Sequence, residues 1–182
     1  MTSVARIVKA ISTFNGFLGN VFSWFTLGIV LVCFCVVVLR YVFQTSFVWM
    51  QDLYVWMNGA MFTGIAGYVL MRDGHVRVDI FYRPWSPRRK AWLDLLGFFL
   101  FLAPFVTTVL IWTWTYVQRS WRFHESSMNV GGLPGLFIVK TFILIFAVVI
   151  LLQGIAMVLR SILVLSGREE LLPADLRYPT QV

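Results

Sequence analysis

The residues of this 182-residue chain best equipped for acid–base, metal or covalent chemistry are two histidines, two cysteines and eight carboxylates. Their spacing argues against most such chemistry. Cys33 and Cys35 lie two apart inside one apolar run. On a helix that places them about 200° apart, so they read as small apolar residues, with no shared metal and no disulfide. His75 and His124 fall in different polar loops, which the pattern below puts on opposite sides of a membrane. A haem held by two histidines needs both at one level between helices, so a cytochrome is disfavoured. The carboxylates that could serve as acid or base, Asp52, Asp79 and Glu125, are spread over both sides and build no single site. There is no phosphate-binding glycine loop and no metal-spaced Cys/His cluster, so the sequence predicts no catalytic residues, no metal and no cofactor.

Two ionisable residues sit where charge is costly. Asp52 closes the stretch Trp49-Met50-Gln51-Asp52 at the start of an apolar run, and Lys140 lies about two turns into the predicted fourth helix, just before another run. Ionisable groups at such depths pair, or line a pathway. An Asp52–Lys140 ion pair between two helices is geometrically possible. Each side chain snorkelling separately to water is the second reading, and contact with a partner or an ion is the third. Gly59, Thr63 and Gly67 recur at i, i+4 and i+8, with Ala60 and Gly64 beside them. A stripe of small residues allows close helix contact, inside the chain or against another membrane protein. The stretch Asp73-Gly74-His75-Val76-Arg77-Val78-Asp79 reads as a solvated loop.

The elements that must hold these residues are four apolar runs, Phe17–Leu39, Leu53–Met71, Leu95–Gln118 and Thr141–Leu159, none with a charged side chain. A bilayer core takes roughly 20 helical residues to cross. Backbone polar groups in hydrocarbon must pair within their own segment, so each run is predicted to be a helix. Apolar residues make up 59% of the chain and mean hydropathy is +0.81, beyond soluble domains. The first run is too long for a cleaved signal peptide, and no small-x-small site follows it. The expected fold is all-α: spans at about 17–39, 49–71, 91–118 and 134–165 within a domain 17–167, an interfacial amphipathic helix at 1–16, and a polar tail at 168–182.

The net charge is +7, but the basic residues gather at run ends, where they set topology, so nucleic acid is not an expected partner. Arg6, Lys9, the six in loop 72–90, and Arg160, Arg168 and Arg177 make eleven on one side. Arg40, Arg119 and Arg122 make three on the other, with Lys140 within or near the fourth helix and left out. The positive-inside rule then puts both termini in the cytoplasm. Val4, Ile7, Val8, Ile11 and Phe14 follow helical spacing, which predicts an interfacial helix on membrane lipid. Ser86 and Pro87 open the third helix, which would run to Gln118 and kink at Pro104. Trp112, Trp114, Tyr116 and Trp121 form its aromatic belt. The fourth helix starts near Pro134, and the tail, with two prolines, is expected to be loosely ordered.

Taken in order, these motifs resemble the small permeases of TRAP transporters, the DctQ-like Q subunits. The matching residues are Arg40-Tyr41-Val42-Phe43, Trp49-Met50-Gln51-Asp52, His75-Val76-Arg77-Val78-Asp79 with Pro87-Arg88-Arg89, and Gly131-Gly132-Leu133-Pro134-Gly135 followed by Lys140. The glycine–proline stretch is similar to the branch labelled mannitol/chloroaromatic. Asp52 departs from the glutamate, often in an acidic pair, that many members carry. The resemblance implies a bacterial inner membrane and two partners: a large M subunit that moves an organic acid, coupled to an ion gradient, usually of sodium, and a periplasmic P subunit that captures it. This chain would scaffold the M subunit. The alternative is a membrane anchor of a quinone-linked redox complex, which an optical spectrum would reveal.

Overall fold

In the computed structural model, residues 2–72, 74 and 84–178 are described. His75, Arg77 and Asp79, three of the motif residues, lie outside them. Helix α1 spans Thr2–Tyr41, α2 Val48–Gly64, α3 Ala66–Met71, α4 Pro87–Gly97, α5 Ala103–Arg122 and α6 Leu136–Leu165. The described residues contain no strand. α2 and α3 form one rod interrupted at Ile65, and α4 and α5 form another through the π-helical segment Phe98–Leu102. The fold is therefore all-α, with four rods long and apolar enough to cross a membrane. α6 is the centre: α1, the α2–α3 rod and the α4–α5 rod all pack against it. One end carries the loops 42–47 and 123–135, and is called the loop end here. The other carries residues 166–178 and is called the tail end.

Each irregularity has a local cause. Pro104 has no N–H to give to Leu100, and in a regular α-helix its ring would clash with that carbonyl. The preceding turn widens in response, and the Ala103 N–H reaches back five residues to the Phe98 carbonyl. The expected kink is thus a π segment one turn early. Gly154 of α6 faces it, with the Phe98 ring and Leu102 filling the space a Cβ would take. At the start of α4, Ser86 occupies the cap position and Pro87 the first turn, but the Ser86 side chain makes no capping bond.

Two expectations about the ends are corrected. No break separates residues 1–16 from the first span, because α1 is one helix of 40 residues. Val8 and Ala5 are buried and Val4 and Ile11 partly so, whereas Ile7 and Phe14 are exposed. The apolar face of this segment meets the tail and the end of α6. The tail is ordered as well. It makes two 3-10 turns, Glu169–Leu171 and Ala174–Leu176, and buries Leu172 and Tyr178 against α1, α4 and α6. A polar composition hid two large side chains that drop into one core. The second core, Ala66, Leu70, Val106, Ala147 and Ile150, joins α3, α5 and α6 farther along the bundle.

Candidate functional site

At the loop end the first turns of α2 hold Asp52, which is 6% exposed. Its carboxylate is occupied by the loop that leads into α6. The Asn129 Nδ2 donates to Oδ1 at 2.9 Å, and the Leu133 backbone N–H donates to Oδ2 at 3.0 Å. The Ser127 hydroxyl stands against the same carboxylate. The loop also closes on itself: the Ser127 N–H donates to the Leu133 carbonyl at 3.0 Å, and the Gly132 N–H to the Asn129 carbonyl at 2.9 Å. Any side chain at Gly132 would collide with the Asp52 carboxylate and Ser127. Gly131 and Gly135 take positive φ, +79° and +104°, so the chain reverses around Asp52 and enters α6. Pro134 is exposed between them. The Gly-Gly-Leu-Pro-Gly stretch is built to wrap one carboxylate.

A second clasp lies beside it. Lys140 of α6 bonds to the Glu125 Oε2, which also accepts from the Ser120 hydroxyl at 2.6 Å. The Lys140 ammonium sits 4.1 Å from the Tyr116 ring centroid, a cation–π contact. The Trp121 Nε1 donates to the Thr141 hydroxyl at 2.8 Å, and Trp121 packs edge-on against Phe137. These bonds lock the end of α5 to the start of α6. Glu125 lies in the loop, and the hydrogen bonds from Lys140 and then Ser120 hold its carboxyl below the ordinary 4.5.

The expected Asp52–Lys140 ion pair is therefore not formed. The two residues are at the same end, as predicted, but the 127–133 loop takes the Asp52 carboxylate while Glu125 takes the Lys140 ammonium. Of the other motif residues, Arg40 and Tyr41 are exposed at the end of α1. Trp49 is exposed beside Phe47, their rings 6.3 Å apart. The small-residue stripe is turned into the bundle. Gly67 has the Asn15 side chain and the Val149 carbonyl where its Cβ would be, Gly64 has the Phe22 ring, and Gly59 faces Val139. The Thr63 hydroxyl donates to the Gly59 carbonyl at 2.7 Å.

The sequence reading missed the tail end entirely. Asp94 of α4 and Arg160 of α6 form a buried ion pair at 3.0 Å. The Tyr178 hydroxyl donates to the same Asp94 oxygen at 2.7 Å, and lies 3.1 Å from the Ser161 hydroxyl. The Arg160 guanidinium also stacks 4.3 Å from the Tyr178 ring centroid. Burial pushes the Tyr178 phenol above its ordinary value. Deeper in, the Asn15 Nδ2 donates to the Gln153 Oε1 at 2.9 Å, tying α1 to α6. A signal was present: Asp94 and Arg160 are opposite charges at the ends of two apolar runs on the same side. In the sequence Arg160 counts toward topology, and no motif marks Asp94.

Chemically, every one of these arrangements fastens helices. Among the described residues no three His, Cys, Asp or Glu side chains are placed to hold a metal ion. The comparison with known families matches residues 29–164 to the DctQ component of tripartite ATP-independent periplasmic transporters. The chain belongs to that family. The match covers α2 to α5 completely, with most of α6 and the second part of α1, and so contains both clasps and the Asp94–Arg160 pair. This makes the chain a small subunit of a TRAP transporter, a transport component of multi-pass membrane type. No curated protein and no solved structure matches it.

Proposed function

We propose that this chain is the Q subunit that scaffolds a large M subunit in a bacterial inner membrane, for ion-gradient-driven uptake of an organic acid delivered by a periplasmic P subunit. The observation that carries this is the family match over residues 29–164. The distribution of polar groups supports it. A transporter's own site uses broken helices whose freed ends face polar ligands at mid-membrane. Here the π segment Phe98–Leu102 carries only Phe and Leu side chains, and backbone bonding continues through Ile65. The polar side chains of the clasps spend their bonds on one another. The apolar stretch of α1 is left outside the chain's own core, while a third of that of α6 is buried, so α1 offers surface to lipid or to a larger partner. The basic asymmetry supports cytoplasmic termini. The resemblance to the mannitol/chloroaromatic branch favours a small carboxylate, a 2-oxo or 2-hydroxy acid, as cargo.

Two measurements test the reading. Reconstituted alone in liposomes with a sodium gradient and candidate carboxylates, the purified chain should show no uptake, and it should copurify with a coexpressed M subunit. Substrate-specific flux by the single chain would overturn the scaffold assignment. For orientation, a reporter active only in the cytoplasm should give signal when fused after Val182 and none when inserted in the 119–133 loop.

A further inference from the structure

A groove of about 250 Å³ opens at the tail end between α1, the end of α3 and the 3-10 turn Ala174–Leu176. It lies at the level where two apolar runs stop: α1 turns apolar at Phe17, just beyond Gly16 in its wall, and the run of the second rod ends at Met71, also in its wall. Two cations line it, Lys9 and Arg72. Both are exposed, and among the described residues neither forms an ion pair. Arg72 makes only a loose contact with the Tyr68 ring, 5.7 Å from its centroid. Thr13 and Asn20 add hydrogen-bonding groups, and Asp175 is the groove's one carboxylate among the described residues.

We propose that this groove holds the phosphate of a membrane phospholipid, with Lys9 and Arg72 as its ligands. Basic groups at the edge of a membrane span attract lipid head groups, and charge-assisted bonds to phosphate oxygens are among the stronger polar contacts. The charge balance and the groove's level at the ends of two apolar runs favour a lipid as the source. Among the described residues, two cations and one carboxylate leave a surplus of one positive charge, which matches the single negative charge of a phosphodiester. Free phosphate near neutral pH is a mixture of singly and doubly charged ions and matches that surplus less well. The walls are mixed, with Met71 and Leu176 beside the cations, which suits a group whose polar head continues into acyl chains. The inference concerns this chain's own surface and does not depend on the transporter reading.

The test uses the full chain in detergent, with phosphatidylglycerol or phosphatidylethanolamine in mixed micelles, or inorganic phosphate alone. Bound lipid is counted by native mass spectrometry, and the melting temperature is followed alongside. The wild type should retain one lipid more tightly than the Lys9→Gln/Arg72→Gln variant by roughly tenfold. The conservative Lys9→Arg change should keep the lipid, and both variants should show the wild-type helical spectrum because their positions are exposed. The pair Arg6→Gln/Arg168→Gln, outside the groove, should leave retention unchanged. Equal retention by the Lys9→Gln/Arg72→Gln variant would overturn the proposal. So would an equal loss in the Arg6/Arg168 pair, which would mean general surface charge. Stabilisation by inorganic phosphate as strong as by lipid, and lost in the same variant, would replace the lipid with a free anion.

Discussion

At the loop end, Asp52 is wrapped by backbone and side-chain donors of one loop, and Lys140 finds Glu125 in a partly open setting. At the tail end, Asp94, Arg160, Ser161 and Tyr178 come from α4, α6 and the tail and meet out of water. In the first kind of fastening one stretch, residues 120–141, supplies most of the groups, and its glycines and proline are visible as a motif, although Asp52 itself comes from 77 and 81 residues away. The second joins segments 66 and 84 residues apart and shows no motif. Screening differs as well. An exposed ion pair is worth little, whereas a buried one is expensive to break, because the surviving charge stays desolvated.

The largest effect should follow from breaking the tail-end pair. Arg160→Met removes the guanidinium that pairs with the buried Asp94 carboxylate. A loss of about 3 to 5 kcal/mol is expected, read as a melting-temperature drop in detergent. A variant as stable as wild type would mean that water reaches this end. Next comes the loop clasp. Asp52→Ala strands the Leu133 N–H, and Gly132→Ala drives a methyl group into the same carboxylate. Each should cost about 2 kcal/mol, and the double change should cost less than the sum, because both release one loop. Additivity there would show that the loop is held by something else.

Tyr178→Phe removes one buried hydroxyl and should cost about 1 kcal/mol. It also separates the two ends by pH. The Tyr178 phenol is raised in the fold, so its contribution is full below the ordinary value of 10.0 and declines as pH rises past it. The Glu125 carboxyl is lowered, so its contribution is full above 4.5 and disappears as pH falls through that region. Melting profiles should therefore lose stability in alkali through Tyr178 and in acid through Glu125. Tyr178→Phe should flatten the first limb and Glu125→Gln the second. A Glu125→Gln profile that keeps the acid limb would show that other carboxylates own it. The smallest effect is a coupling: Asp52→Asn combined with Lys140→Met should be additive to within about 0.5 kcal/mol, because the two residues have separate partners. A larger coupling would restore the pair first expected from the sequence.

The four spans, the helix opening at Pro87 and the small-residue stripe could all be read from the chain. Each depends on composition or spacing within one segment, and burial of apolar residues in lipid needs no partner to be recognised. Pro104 announced a kink, though not that the strain would be absorbed one turn earlier, at Phe98–Leu102. Asp52 and Lys140 stood out because a charge beside an apolar run is costly wherever the run packs. What pairs with each charge was decided only when the loop folded back. Glu125 is tied to Ser120 by a local turn and lies within reach of Lys140, and Leu133 brings a backbone N–H to Asp52, a donor that no residue type advertises. The tail shows the same limit. Its sequence looks like solvated polypeptide, yet Leu172 and Tyr178 are buried because α1, α4 and α6 converge there and leave a core to close. Segment chemistry determined which stretches enter the membrane. The selection of partners for the few polar groups depended on distances between segments far apart in sequence, and those exist only in the packed bundle.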